Sequence, residues 1–174
     1  MLHWVLLAAL SAVPPERMAQ LMARSIGYDK NLKARAGEQL VIALVYEEAD
    51  AASKAHCASM EAAFGALRGV RVQGIPIDIV SLAYSKSFAE DAKKKALDVV
   101  YVCPNVKAIS DITAQSQKLK LLTIAGEPAD IERGLTLSAT QDGERVVLVI
   151  NRASAQAENV VFAEQILGVA KLVH

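Results

Sequence analysis

The residues capable of chemistry are few and scattered. There are three histidines, His3, His56 and His174, and two cysteines, Cys57 and Cys103. A Ser-His-Asp or Cys-His arrangement has to use His56, because His3 lies in an apolar, leader-like stretch and His174 is the last position. His56 adjoins Cys57 on a segment of helical periodicity, where neighbours point about 100° apart and do not face each other. Glu47, Glu48 and Asp50 gather just ahead of that segment. Three carboxylates and one histidine at unmatched spacing form no recognisable ligand set, and acidic groups before a helix N-terminus are favoured there by the dipole alone. No Gly-x-Gly-x-x-Gly follows a strand, no Gly-x-x-x-x-Gly-Lys-Ser/Thr occurs, and there is neither a Gly-x-Ser-x-Gly elbow nor a His-Glu-x-x-His. The expectation is a protein with no catalytic, metal or cofactor residues, and hence not an enzyme.

The elements that would position any site alternate. Pro14-Pro15-Glu16 suits a helix start, with Met18, Leu21, Met22, Ile26 and Leu32 as its stripe and Gly37 as a left-handed cap. Residues 40–46 form a continuous apolar run, which indicates a strand buried on both faces. A helix over 51–67 follows. Residues 71–84 alternate in part, and Pro76 places them at a sheet edge. Then come a charged helix over 88–97, a short strand over 99–103, a polar helix over 106–118 and a strand from Leu121. Such alternation predicts a three-layer α/β fold with a mostly parallel sheet. In a doubly wound sheet ligands enter at the C-terminal strand ends, which here carry Glu47-Glu48, Ser85, Pro104-Asn105 and Gly126-Glu127. A polar small-ligand pocket is one reading; ordinary turn chemistry explains the same residue types.

The last fifty residues read as one closing unit. Asp142-Gly143 marks a hairpin, since a tight turn needs positive φ, which Gly takes freely and Asp tolerates. Asn151 stands where it can cap a helix starting at Arg152, and the apolar spacing after it predicts one amphipathic helix through Ala170. The fold is thus a parallel sheet extended by a C-terminal antiparallel hairpin and a closing helix.

A chain of 174 residues fits a single domain, here residues 14–174. With 53% hydrophobic and 22% charged residues it is an ordered chain. Nineteen basic residues balance nineteen acidic ones with no basic patch, which argues against nucleic acid as a partner. Residues 1–13 have the apolar length of a signal-peptide core, with Ala9-Leu10-Ser11 as a small-x-small site but no Lys or Arg before it. The alternative is the buried start of a cytoplasmic N-terminal helix. Cys57 and Cys103 are compatible with one disulfide in an oxidising compartment, or with two buried small hydrophobes.

Leu121-Leu122-Thr123-Ile124, Gly134-Leu135-Thr136-Leu137, Asp142-Gly143-Glu144-Arg145-Val146, Val149-Ile150-Asn151 and Ile166-Leu167-Gly168-Val169-Ala170-Lys171, taken in order, resemble the YfiR-like proteins, small periplasmic bacterial regulators. Tyr28-Asp29-Lys30-Asn31-Leu32-Lys33 is similar to a subset of members. Gly134, Asp142, Gly143 and Asn151 are the signature positions. The family's disulfide pattern is not carried over, because only two cysteines are present. The resemblance implies a non-enzymatic, exported binding protein that holds a membrane diguanylate cyclase inactive through the cyclase's periplasmic part, itself homodimeric and without a cofactor. A small solute-binding component of a transport or sensor system is the alternative. A receiver-like domain ranks third, since no Asp ends the strand at Val99.

Overall fold

The run Leu40–Tyr46 is apolar at every position because it lies mid-sheet with a helical layer on each face. Leu40, Ile42 and Leu44 enter one core and Val41, Ala43 and Val45 the other, as the two-residue side-chain period of a strand dictates. The computed structural model describes residues 13–174, so the leader segment proposed for residues 1–13 falls almost wholly outside the described residues. In chain order the elements are α1 (Pro15–Ile26), α2 (Leu32–Arg35), β1 (Leu40–Tyr46), α3 (Ala51–Gly65), β2 (Arg71–Val72), β3 (Ile75–Ala83), α4 (Phe88–Lys94) and β4 (Val99–Val102). They continue with α5 (Ile109–Leu119), β5 (Leu122–Ala125), a 3₁₀ turn (Pro128–Ile131), β6 (Leu137–Asp142), β7 (Arg145–Asn151), α6 (Arg152–Ala157), α7 (Glu164–Leu167) and β8 (Lys171–Val173).

The eight strands lie in the order β2-β3-β1-β4-β5-β6-β7-β8. Among the described residues the β1–β3, β1–β4, β4–β5, β5–β6 and β7–β8 pairs are parallel and the β2–β3 and β6–β7 pairs antiparallel. α1 and α3 pack on one face, α4 and α5 on the other. This is the expected three-layer α/β fold with a mostly parallel sheet and a C-terminal hairpin.

Four local expectations are corrected. The first helix stops at Ile26, and Gly37 is not in the left-handed region. The cause is Asp29, fully buried, whose carboxylate accepts from the amides of Asn31 and Val161 at 3.0 Å each and pairs with Arg35 at 2.6 Å. Backbone serving a side chain in this way leaves the helix. Second, residues 71–84 are two strands rather than one run: β2 turns back onto the start of β3 in a tight hairpin whose turn is Gln73 (φ 51°) and Gly74 (φ 86°). Gln73 is held there by donating to the carbonyls of Gly27 and Asp29 at 3.0 and 2.7 Å.

Third, Asp142 and Arg145 are the last paired residues of the C-terminal hairpin, so its two-residue turn is Gly143-Glu144, with Gly143 at φ 58°. Fourth, the closing helix is broken. α6 ends at Ala157, Asn159 takes φ 60°, α7 is a single turn, and the chain finishes as β8. Residues 158–163 spend their backbone groups elsewhere: Lys30 N–H donates to Val161 O at 2.8 Å and Ala163 N–H to Tyr28 O at 2.9 Å. The apolar periodicity still has a use, since Val160, Phe162 and Ile166 are buried.

Candidate functional site

The strand order changes direction between β1 and β4, which makes the loops after these strands the natural ligand crevice. This chain fills it with its own side chains. Glu47 Oε2 accepts from the amide of Lys107 at 3.3 Å, and its own amide donates to Ser53 Oγ at 3.0 Å. Asp50 caps α3 by accepting from Ser53 N–H at 2.7 Å, and it also accepts from Asn105 Nδ2 at 3.2 Å. The amide of Ser53 beside it holds the Asp50 carboxyl below its ordinary range. Glu48 pairs instead with Lys54 on the surface. Of the three carboxylates noted from the sequence, Glu47 and Asp50 therefore serve loop closure and Glu48 a surface ion pair. Among the described residues no group of three or more His, Cys, Asp or Glu side chains gathers as a metal site.

Next to this plug, beyond the ends of β4, β5 and β6, an open crevice of about 390 Å³ remains, lined by His56, Pro104, Glu127, Thr140 and Gln141 among others. His56 on its wall is backed by Tyr101. This phenol is fully buried and shares a 2.9 Å hydrogen bond with His56 Nε2, and the two rings stack with centroids 5.9 Å apart. Burial pushes the Tyr101 phenol far up and the His56 imidazole down, so both stay neutral at pH 7. Gly126 makes the approach possible: a Cβ there would lie 2.9 Å from the Tyr101 hydroxyl and 2.8 Å from Val102 O.

Cys57 and Cys103 are both buried and both free thiols. The neighbouring Cys103 side chain brings the Cys57 thiol down to about 7, and Cys57 together with burial pushes Cys103 up. Cys57 also lies 3.6 Å from Ser81 Oγ and 3.8 Å from Leu44 O. His56 and Cys57 diverge as their adjacency in the sequence requires: the imidazole points to Tyr101, the thiol to β1 and β3. Helical spacing pointed to Cys57 being buried, but nothing in the sequence paired His56 with Tyr101.

The signature positions lie elsewhere, in the closing unit. Asn151 accepts from Ser154 N–H at 3.0 Å, capping α6, and its amide donates to Ile131 O at 3.2 Å. Gly134 sits at φ 102°, and a Cβ there would come 2.9 Å from Thr113 Cγ2. Asp142 and Gly143 lie at the hairpin tip, far along the ribbon. None of the four lines the crevice.

A buried polar pin that the sequence did not reveal joins this unit to the sheet. Glu158, 0% exposed, accepts from Thr123 Oγ1 and Thr136 Oγ1 at 2.6 Å each and from Thr123 N–H at 3.0 Å. Thr123 Oγ1 in turn accepts from Thr136 N–H at 3.0 Å. The β5–β6 ladder is short, with Ile124 opposite Leu137, so these side chains carry the seam. Burial raises the Glu158 carboxyl from 4.5 to about 7.

The fold has solved counterparts at low identity. A conserved domain protein from Vibrio cholerae O1 biovar El Tor matches with TM-score 0.65 and 16% identity, over 92% of this chain and 60% of its own. The ABC domain in complex with L-Trp from Streptococcus pneumonia matches with TM-score 0.61 and 15% identity, over 92% and 62%. A ligand-free, open substrate binding protein with adhesive properties from Clostridium difficile gives TM-score 0.58 and 13% identity, over 83% and 57%. The chain thus spans about three fifths of the length of these proteins, and the likeness is one of fold. No curated protein matches the sequence. No helix among the described residues is long and apolar enough to cross a membrane. A family model described as YfiR/HmsC-like, a family of periplasmic regulators, matches residues 30–171. Since that match takes in most of the chain, the protein belongs to the YfiR/HmsC-like family.

Proposed function

We propose that the protein is an exported, non-enzymatic binding module that represses a membrane signalling enzyme of the diguanylate cyclase type by engaging its outward-facing domain. Family membership supplies the class of partner. The observation that carries the reading is the state of the strand-end crevice. Its switch point is occupied by Glu47 and Asp50, bonded to the chain's own Lys107 and Asn105, and His56 on its wall is tied to the buried Tyr101. A protein surface then remains as the working part. In an oxidising compartment Cys57 and Cys103, neighbours in the fold, would join as a disulfide. The test mixes the full chain with periplasmic domains of sensor cyclases from the same host, and deletes its gene. A complex and a rise in cyclic-di-GMP on deletion are expected. No complex and unchanged cyclic-di-GMP would overturn the reading.

A small-solute role is the second reading, favoured by the 390 Å³ crevice at the strand ends with Glu127 and Gln141 on its wall. A ligand-dependent rise in melting temperature on screening amino acids and small anions separates it from the first, because tight binding to the native state must stabilise it.

A further inference from the structure

The outer margin of the sheet carries a groove built from α3 and β3. Ile77 to Ala83 pair with β1 on one side, whereas on the other β2 covers Ile75 and Pro76 and then stops. Tyr84 N–H donates to Tyr46 O, and backbone direction alternates along a strand, so the N–H and C=O groups of Ile77, Ile79, Ser81 and Ala83 point outward. Among the described residues no element pairs with them. Native edges are usually blunted by lysine, proline or bulges, and between Ile77 and Ala83 there is neither lysine nor proline. Beside this edge Lys54, Ala58, Glu61, Gly65 and Arg68 follow one another at steps of four and three, forming one stripe along α3 and the turn after it. Ser81 Oγ donates to Glu61 Oε2 at 2.8 Å, and this bridge from strand to helix divides the groove in two. The half beside Ile77 and Ile79 is a cavity of about 300 Å³ walled by Phe64, Leu67 and Val70, and its charges balance, Arg68 and Arg71 against Glu61 and Asp78. The half beside Ser81, about 270 Å³, holds two carboxylates, Glu48 and Glu61, against the one ammonium of Lys54. Lys54 is paired with Glu48, and among the described residues Glu61 pairs with no cation.

We propose that this groove takes an extended segment of another protein, added to the sheet as a new edge strand on β3, with apolar side chains over Ile77 and Ile79 and a lysine or arginine over Ser81. Outward backbone groups at every second residue are satisfied together by another extended backbone, which makes a strand the fitting occupant. Directly opposite residues of adjacent strands place their side chains on one face, and Ile77 and Ile79 lean to the α3 side. The incoming residues opposite Ile77, Ile79 and Ser81 therefore enter the groove. The first two meet apolar walls, and the third meets the uncompensated Glu61. Small residues leave the room: Ala58 is exposed, and a Cβ on Gly65 would meet nothing within 4 Å. This assignment rests on the reading that the protein works by binding another protein, and it does not require that protein to be a cyclase.

The test adds end-blocked, fluorescein-labelled peptides Thr-Val-Thr-Val-Thr-Lys-Thr and its reverse, which cover the parallel and antiparallel directions, to the full chain. One of them is expected to raise anisotropy on binding and to slow exchange of the Ile77, Ile79, Ser81 and Ala83 amides. In a strand only alternate N–H groups face the neighbour, so N-methylation of one alternate set is expected to weaken binding by at least about tenfold, and of the other set little. Exchanging the peptide lysine for glutamate is expected to abolish binding. Gly65→Phe and Ala58→Trp, each filling one half of the groove and each checked for native far-UV dichroism, are expected to do the same. If either variant fails to fold, the N-methylated peptides decide alone. Neither peptide binding at millimolar concentration overturns the proposal. So does binding that is indifferent to both N-methylated sets or to Gly65→Phe, or four amides already slow without peptide because a second copy holds the edge. Failure of the peptides would leave a cyclase complex to its own test, and failure of that complex would leave the groove to this one.

Discussion

Replacing Glu158 by Gln should make the protein's stability less sensitive to pH, with a sign fixed by the geometry. The native carboxylate is fully buried and accepts three hydrogen bonds, with Arg35 as the cation that favours its charged form at longer range. Burial still wins, and the carboxyl titrates near 7 instead of 4.5. An acid whose folded value is raised binds more protons folded than unfolded between these two values. Its contribution to stability is therefore complete below about pH 4.5 and is lost as pH rises through 7. A shift of that size corresponds to about 3 kcal/mol. Gln keeps the shape and one acceptor oxygen. Its amide nitrogen can donate to Thr123 Oγ1, which has a second lone pair free beside the one taken by Thr136 N–H. Urea unfolding of both proteins at pH 5 and pH 8 isolates the group, because every other titration is shared. The gap between the two curves should move by about 3 kcal/mol in favour of Glu158→Gln at the higher pH. A gap that does not change, or that moves in favour of the native protein at pH 8, would refute the reasoning. The latter would mean that the three donors, not burial, set the titration.

Three other outcomes follow from the same geometry. Asp29→Ala leaves Arg35 and the Val161 amide without a partner and should cost about 3–5 kcal/mol in chemical denaturation, the usual penalty for breaking a buried pair. Gly134→Ala forces a positive φ and a 2.9 Å contact on Thr113 and should destabilise by about 1–3 kcal/mol, with Thr113→Ala recovering the contact part in a double-mutant cycle. Mild oxidation should couple Cys57 to Cys103, detectable as the loss of two titratable thiols, and should raise stability by about 4 kcal/mol on the loop-entropy model; two thiols that persist in oxidant would exclude the bridge.

The strand and helix order was legible because it rests on local periodicity. Leu40–Tyr46 is apolar throughout, and a strand with helices on both faces is the simplest use for such a run. The Asn151 cap was legible too, since a short polar side chain between a strand pattern and a helix pattern has few other uses. What escaped were positions where a distant side chain overrules the local pattern. Residues 152–170 have helical spacing, but Glu158 is drawn inward by Thr123 and Thr136, and the amide of Val161 is claimed by Asp29. Gln73 is similar: a left-handed glutamine is costly by itself and becomes affordable through its bonds to Gly27 and Asp29. The crevice was legible only as a set of loop residues. That Glu47 and Asp50 would turn inward to close it, and that Tyr101 would lie under His56, depends on registers between β1, β4 and α3 that spacing does not encode.

The bond from Val161 N–H to Asp29 joins positions 132 residues apart. During synthesis residue 29 emerges long before residue 161, and until then its carboxylate, already paired with Arg35 and the Asn31 amide, has an acceptor position left to water. The segment after the first helix thus gains its last hydrogen-bond donor only when the final part of the chain arrives. The slow event in folding should be this late seam between the two ends of the polypeptide, whose closure carries the loop entropy of nearly the whole chain.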